Sequence, residues 1–192
     1  MTRRVSRLVG IAAPPTAAVL VLIAGAITPG YDPVARSVSW LAVPHKPGAA
    51  MVEVAIALMV FASLALAFSI AGSRAGRVAL VIAACALAAT AVIRLDPASI
   101  QTSSIHRLAS GVAMVSFTVA LLALARPLGY VSLALIAVGV ALVATSFSAW
   151  GLWERVLLGL PLLWIVWRSA KMTVSADATT RASKASLSSA GS

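Results

Sequence analysis

Charge is what this chain has least of. Of its 192 residues only 10% are Asp, Glu, Lys or Arg, and just five are acidic. Soluble domains carry about 25% charged residues. A chain this poor in charge cannot cover a water-exposed globule, so a soluble fold is excluded. Cysteine is nearly absent: Cys85 stands alone in an apolar run, which rules out an internal disulfide and any zinc-type Cys cluster. There are two His and no HxxxH, HExxH or CxxC spacing, so the common helical metal signatures are missing. No GxSxG run marks a nucleophile elbow.

What remains is 61% hydrophobic, with a mean hydropathy of +1.02. A membrane helix needs about 20 mostly apolar residues. Six segments qualify: 8–28, 49–72, 78–93, 105–125, 130–148 and 150–167. The third is short and borrows from its flanks. The connections are brief, so the expected fold is all-α: an integral membrane bundle of six transmembrane helices, packed antiparallel. A basic stretch, 1–7, precedes it. From Ser169 onward the composition turns to Ser, Thr and Ala with scattered charge, and this tail, 169–192, is expected to be disordered and cytoplasmic.

The net charge of +10 would suggest nucleic acid in a soluble protein. Here the basic residues flank apolar segments, so they set topology and meet anionic lipid instead. With the N-terminus inside, ten of the fifteen basic residues fall on the cytoplasmic side and five (Arg36, Lys46, Arg94, Arg107, Arg155) on the other. Both termini are then cytoplasmic. Asp32, Glu53, Asp96 and Glu154 lie outside, and only Asp177 inside. Tyr31, Trp40, Trp150 and Trp153 mark the outer interface, and Tyr130, Trp164 and Trp167 the inner one. The first segment also has the basic start and small-residue "AGA" of a secretory signal. Its cleavage would leave the other five helices unchanged. Pro14 and Pro15 are expected to kink it.

Two outer loops interrupt the apolar pattern, "PGYDPVARSVSW" (29–40) and "RLDPASIQTSSIH" (94–106). Each carries Asp-Pro and then Ser, with a His downstream, a short echo 64 residues apart. Asp caps helix starts and Pro suits the first helical position, so capping by Asp32 and Asp96 is the ordinary reading. Val34, Val38 and Leu41 recur at helical spacing, which predicts a short amphipathic helix on the outer interface. The functional reading is one outward-facing polar pocket drawn from both loops and the helix starts beside them: Asp32, Arg36, Ser39, Glu53, Arg94, Asp96, His106, Arg107, Glu154 and Arg155. Arg94 or Arg155 paired with Asp96 or Glu154 would hold helix ends together. Asp32, His45, Glu53, Asp96 and His106 are chemically able to ligate a cation, but their spacing supports no site, and no metal or cofactor is assigned. Ser37, Ser39, Ser103 or Ser104 would be the nucleophile of a Ser-His-Asp hydrolase. In "WGLWERVLLG" the structural reading has the tryptophans anchoring the interface with Glu154 and Arg155 at headgroup level, and the functional alternative has Glu154 facing the pocket and Arg155 binding a lipid phosphate.

In their order and spacing these segments resemble a prokaryotic family of small six-helix membrane proteins catalogued as "domain of unknown function 998". The residues that carry the likeness are "PGYDPVARSVSWLA", "RLDPASIQTSSIHRLAS" and "GLWERV", over roughly residues 8 to 170. The chain departs from the family pattern twice. The family commonly has an FPTDP-like run where this chain reads "IRLDP", and an acidic residue where Trp40 follows Ser39. The resemblance implies a fold and a membrane location, not an activity.

The expectation is therefore a multi-pass protein of the bacterial inner membrane that binds lipid or a small ligand as an envelope accessory factor, rather than an enzyme. Membrane lipids are its partners, a second copy or another membrane protein is a candidate, and nucleic acid is not. A membrane-embedded lipid-headgroup hydrolase, metal-dependent or not, is the alternative. A small transporter fits less well, because helix centres are nearly free of the polar groups that transport places at the midplane.

Overall fold

The computed structural model describes residues 3–70 and 72–189, with side chains described for 4–70 and 72–172. Six helices follow one another: α1 (Arg3–Ile27), α2 (Ala49–Ser69), α3 (Arg74–Val92), α4 (Ile100–Leu124), α5 (Arg126–Leu142) and α6 (Trp150–Ser189). A 3₁₀ turn, Val38–Ala42, sits between α1 and α2. No strand occurs among the described residues. Five helices are long and apolar enough to cross a membrane, and α5, with 17 residues, is shorter. At about 1.5 Å per residue α5 rises about 26 Å, a little less than the ~30 Å hydrocarbon core.

Each helix packs on its neighbours in the chain, and α6 closes the ring against α1 and α5 while also touching α2 and α4. The hairpins α1–α2 and α3–α4 have the most extensive contacts. Short links make successive helices antiparallel. One end of the bundle, here the loop end, therefore holds segments 28–48, 93–99 and 143–149. The other, the terminal end, holds the start of α1 and the links before α3 and α5.

Small residues let these helices approach closely, as membrane packing requires. The core is built on Ala13, Ala17, Ala55, Ala62, Ala83, Ala113 and Ala120, with Phe117, Trp164, Leu66, Leu80 and Leu121 filling between them. Large apolar side chains such as Phe61, Phe68, Leu22, Leu108 and Val140 point outward, the pattern of a protein whose solvent is hydrocarbon. Hydroxyls buried along the helices bond to their own backbone: Ser63 Oγ donates to Met59 O at 2.7 Å and Thr90 Oγ1 to Leu87 O at 2.7 Å.

Helix centres and the starts of α2 and α6 agree with the sequence expectation, while other ends shift. α4 begins at Ile100, five residues before the expected start, because Ser99 caps it by accepting from Thr102 N at 3.2 Å. α5 runs 126–142 rather than 130–148, since Pro127 at its start favours helix entry. α6 continues through Ser169, which is fully buried. The rest of the expected tail, from Thr173, lies outside the residues whose side chains are described.

Candidate functional site at the loop end

The first loop is pinned to the start of α6. Asp32 Oδ1 accepts from Val34 N at 2.8 Å and Ala35 N at 3.3 Å, and Arg36 N donates to Asp32 O at 2.8 Å. Asp32 thus caps a turn, not the expected interfacial helix. The helical piece is the five-residue 3₁₀ turn after Ser37, whose side chain makes no cap bond. Leu41 is fully buried, Val38 half-buried, and Val34 exposed.

Glu154 and Arg155 reach across from α6 into this loop. Glu154 Oε2 accepts from Val38 N at 2.6 Å. Arg155 Nη1 donates to Pro33 O at 2.5 Å, Arg36 O at 3.3 Å and Gly151 O at 2.8 Å, and Nη2 donates to the Tyr31 hydroxyl. Tyr31 in turn lies within 3.2 Å of Arg36 O and Ser37 O. Burial raises the Tyr31 phenol above its ordinary range, against the lowering pull of Arg155. Leu152 N donates to Val34 O at 3.0 Å. Gly151 permits the approach: a Cβ there would lie 2.2 Å from Arg36 O. Neither Arg155 nor Glu154 forms the expected ion pair. Both spend their polar atoms chiefly on backbone groups, with Arg155 Nη2 on the Tyr31 hydroxyl, which satisfies main-chain polarity near the membrane.

Aromatic rings extend this cluster. Tyr31 stacks on Trp40 with centroids 5.7 Å apart, and Arg36 and Lys46 lie 4.2 Å and 3.4 Å from the Trp40 ring centroid. Arg155 lies 5.5 Å from the Tyr31 ring.

The second loop forms a separate group. Asp96 Oδ1 accepts from Ala98 N at 2.9 Å and Asp96 O accepts from the Ser103 hydroxyl at 2.6 Å. The expected Arg94 pairing has a different partner: Arg94 Nε meets Glu53 Oε1 at 2.8 Å, tying α3's end to α2's start. His106 is buried at 2% exposure, with Nδ1 2.6 Å from Ile93 O. Arg107 and His45 are exposed. Ser39 is half-buried, and neither it nor Arg107 has a side-chain hydrogen bond among the described residues.

Eight of the ten candidate residues therefore divide between two groups, and Ser39 and Arg107 join neither. Asp32, Arg36, Glu154 and Arg155 join the first loop to α6, while Glu53, Arg94, Asp96 and His106 join the second loop to α2 and α4. No three His, Cys, Asp or Glu side chains converge among the described residues. Ser103 donates to a backbone carbonyl and His106 Nδ1 lies against another, while the buried His106 Nε2 has no partner among the described residues, so Ser103 and His106 are not hydrogen-bonded to each other.

Beneath the first loop lies a feature the sequence did not signal. A cleft of about 280 Å³ opens between α1, α2 and α6. Ala17, Val21, Ala55, Ile56, Met59, Leu158 and Leu162 line it, Leu87 and Phe117 contribute from α3 and α4, and Val38 and Arg155 lie at its loop-end side. Its origin is local. Gly159 faces open space, Pro161 lines the wall within α6, and Ala17, Ala18 and Ala55 are too small to fill the gap. Val52 to Met59 spans about 10 Å along α2.

Apolar helices in a closed ring, with polar groups gathered at the ends, define a multi-pass helical membrane protein. The particular family follows from comparison: the one described as "Protein of unknown function (DUF998)" matches residues 11–171, and the chain belongs to it. Neither the curated proteins nor the solved structures include a match.

Proposed function

We propose that this protein is a lipid-binding accessory factor of the bacterial cell envelope, held in the cytoplasmic membrane with its loop end outward. The carrying observation is the apolar cleft between α1, α2 and α6, with Arg155 among its lining residues on the loop-end side. Its volume lies close to the ~300 Å³ lower bound of small-ligand sites. Its lining is almost wholly hydrocarbon, which suits an acyl chain rather than a polar metabolite. Arg36, Lys46 and Arg155 gather on the Tyr31–Trp40 stack, and cations at that level favour a lipid phosphate over a neutral headgroup.

Replacing Ala55 by Trp would fill the cleft. Full-length protein and A55W, each purified from membranes, are compared by native mass spectrometry and lipid extraction. The expected outcome is lipid retained by the parent chain and reduced several-fold in A55W, with helicity unchanged. Equal lipid retention by both would overturn the reading.

A further inference from the structure

At the terminal end, away from the loop cluster, four buried donors have no acceptor among the described residues. They are Arg7 Nε, Arg168 Nε, Trp164 Nε1 and Ser169 Oγ. They gather about one helix crossing. Gly10 of α1 meets Ser169 of α6 so closely that a Cβ on Gly10 would fall on the Ser169 hydroxyl. Arg7 stands one turn before Gly10, Arg168 adjoins Ser169, and Trp164 lies one turn deeper along α6. Ser169 is 0% and Trp164 1% exposed.

Nothing acidic among the described side chains is available to them. Asp32, Glu53, Asp96 and Glu154 all belong to the loop end, and Asp177 lies outside the described side chains. Arg94–Glu53 is the one ion pair among the described residues, and it too is at the loop end. Buried donors left unpaired are costly, and most so in hydrocarbon. A serine in a membrane helix ordinarily relieves this by donating to the carbonyl four residues back, as Ser63 does. Ser169 does not.

We infer that the α1–α6 crossing at the terminal end binds a phosphate group, with Arg7 and Arg168 as its charged forks and Ser169 as a neutral donor. Guanidinium suits this chemistry because its planar N–H pairs match tetrahedral phosphate oxygens. The site lies where both spans leave the hydrocarbon, the depth of a lipid phosphodiester. It is independent of the acyl cleft, so one can fail without the other.

The test uses the full chain in nanodiscs of equal parts phosphatidylglycerol and phosphatidylcholine, with retained lipid counted by native mass spectrometry after detergent transfer. The parent chain is expected to retain phosphatidylglycerol with roughly tenfold preference. R7Q/R168Q should lose that preference, R7K/R168K should keep part of it, and A55W should leave it intact. The lysine pair guards against misfolding as the cause of a loss. If the lipid preference is absent but inorganic phosphate raises the melting temperature of the parent and not of R7Q/R168Q, the site stands with free phosphate as its source. Equal retention by parent and R7Q/R168Q, with inorganic phosphate also failing to separate their melting temperatures, overturns the inference.

Discussion

Arg155 donates to three backbone carbonyls and a phenol, so its removal cuts the first loop's side-chain ties to α6 at Pro33, Arg36 and Tyr31 together. R155A is expected to destabilise the protein by about 2–3 kcal/mol, and R155K to recover only part, because an ammonium lacks the fork. Thermal melting in detergent, with protease sensitivity of segment 29–42 as the local readout, measures both. An unchanged melting temperature in R155A would contradict the arrangement. Gly151 makes a sharper case, since an Ala Cβ would press on the Arg36 and Pro33 carbonyls, neither of which is a flexible side-chain end. G151A should release the loop even with Arg155 present. Tyr31 adds a pH dependence. Its folded pKa is raised, so the folded chain holds the phenolic proton more firmly than the unfolded one. The loop's stability is then complete below about pH 10 and declines as pH climbs through the raised value. Tyr31→Phe should remove that alkaline decline.

Among the helices, α5 has the least holding it. It is the shortest, and its buried residues are Gly129, Ser132 and Gly139. Ser132 shares a 2.7 Å hydrogen bond with Thr118 of α4, and the Trp153 indole donates to Leu135 O at 3.2 Å. Both glycines permit contact. A Cβ at Gly129 would come within 2.4 Å of Leu122 N, and one at Gly139 within 2.2 Å of the Trp153 ring. S132A should cost only about 0.6 kcal/mol, the usual worth of an interhelical bond in membranes. G129L should cost about 1–3 kcal/mol by overpacking against backbone that cannot yield. Comparing melting temperatures of the two variants tests this order, and a larger loss in S132A would reverse it. This element also marks what the sequence carried. The apolar runs announced six helices because hydrophobicity alone sets membrane residence. The Gly129 and Gly139 contacts were illegible, since a glycine in an apolar run looks the same whether it meets a neighbour or open lipid. The loop cluster was half legible. Asp32, Arg36, Glu154 and Arg155 stood out as charges where charge is scarce. Their partners are main-chain N–H and C=O groups, which every residue has, so no side-chain pattern could name them.

For the whole molecule, the closed ring decides that the two Asp-Pro loops and the start of α6 share one end, whichever way the protein faces. The direction rests on charge. The terminal end and the last part of α6 carry ten Lys and Arg, and the loop end five. Four of those five, Arg36, Lys46, Arg94 and Arg155, are engaged with an aromatic ring, a carboxylate or backbone carbonyls. Arg74 and Arg77, at the terminal end, are exposed. Free basic residues close to helix ends resist translocation, so the terminal end is expected in the cytoplasm. Single cysteines at Gly48 and Arg74, in a Cys85→Ala background, report this directly through a membrane-impermeant thiol reagent applied to intact cells. Cys85 faces outward from the bundle, so its replacement should be tolerated. The Arg74 cysteine should react only after lysis. Gly48 needs more care: it is buried against Ala24, so Pro47→Cys, exposed beside it, is the better reporter and should label in intact cells. Labelling of the Arg74 position without lysis, with Pro47→Cys protected, would invert the molecule. The cleft would then open near the cytoplasmic leaflet and the Arg7–Arg168 crossing would face outward.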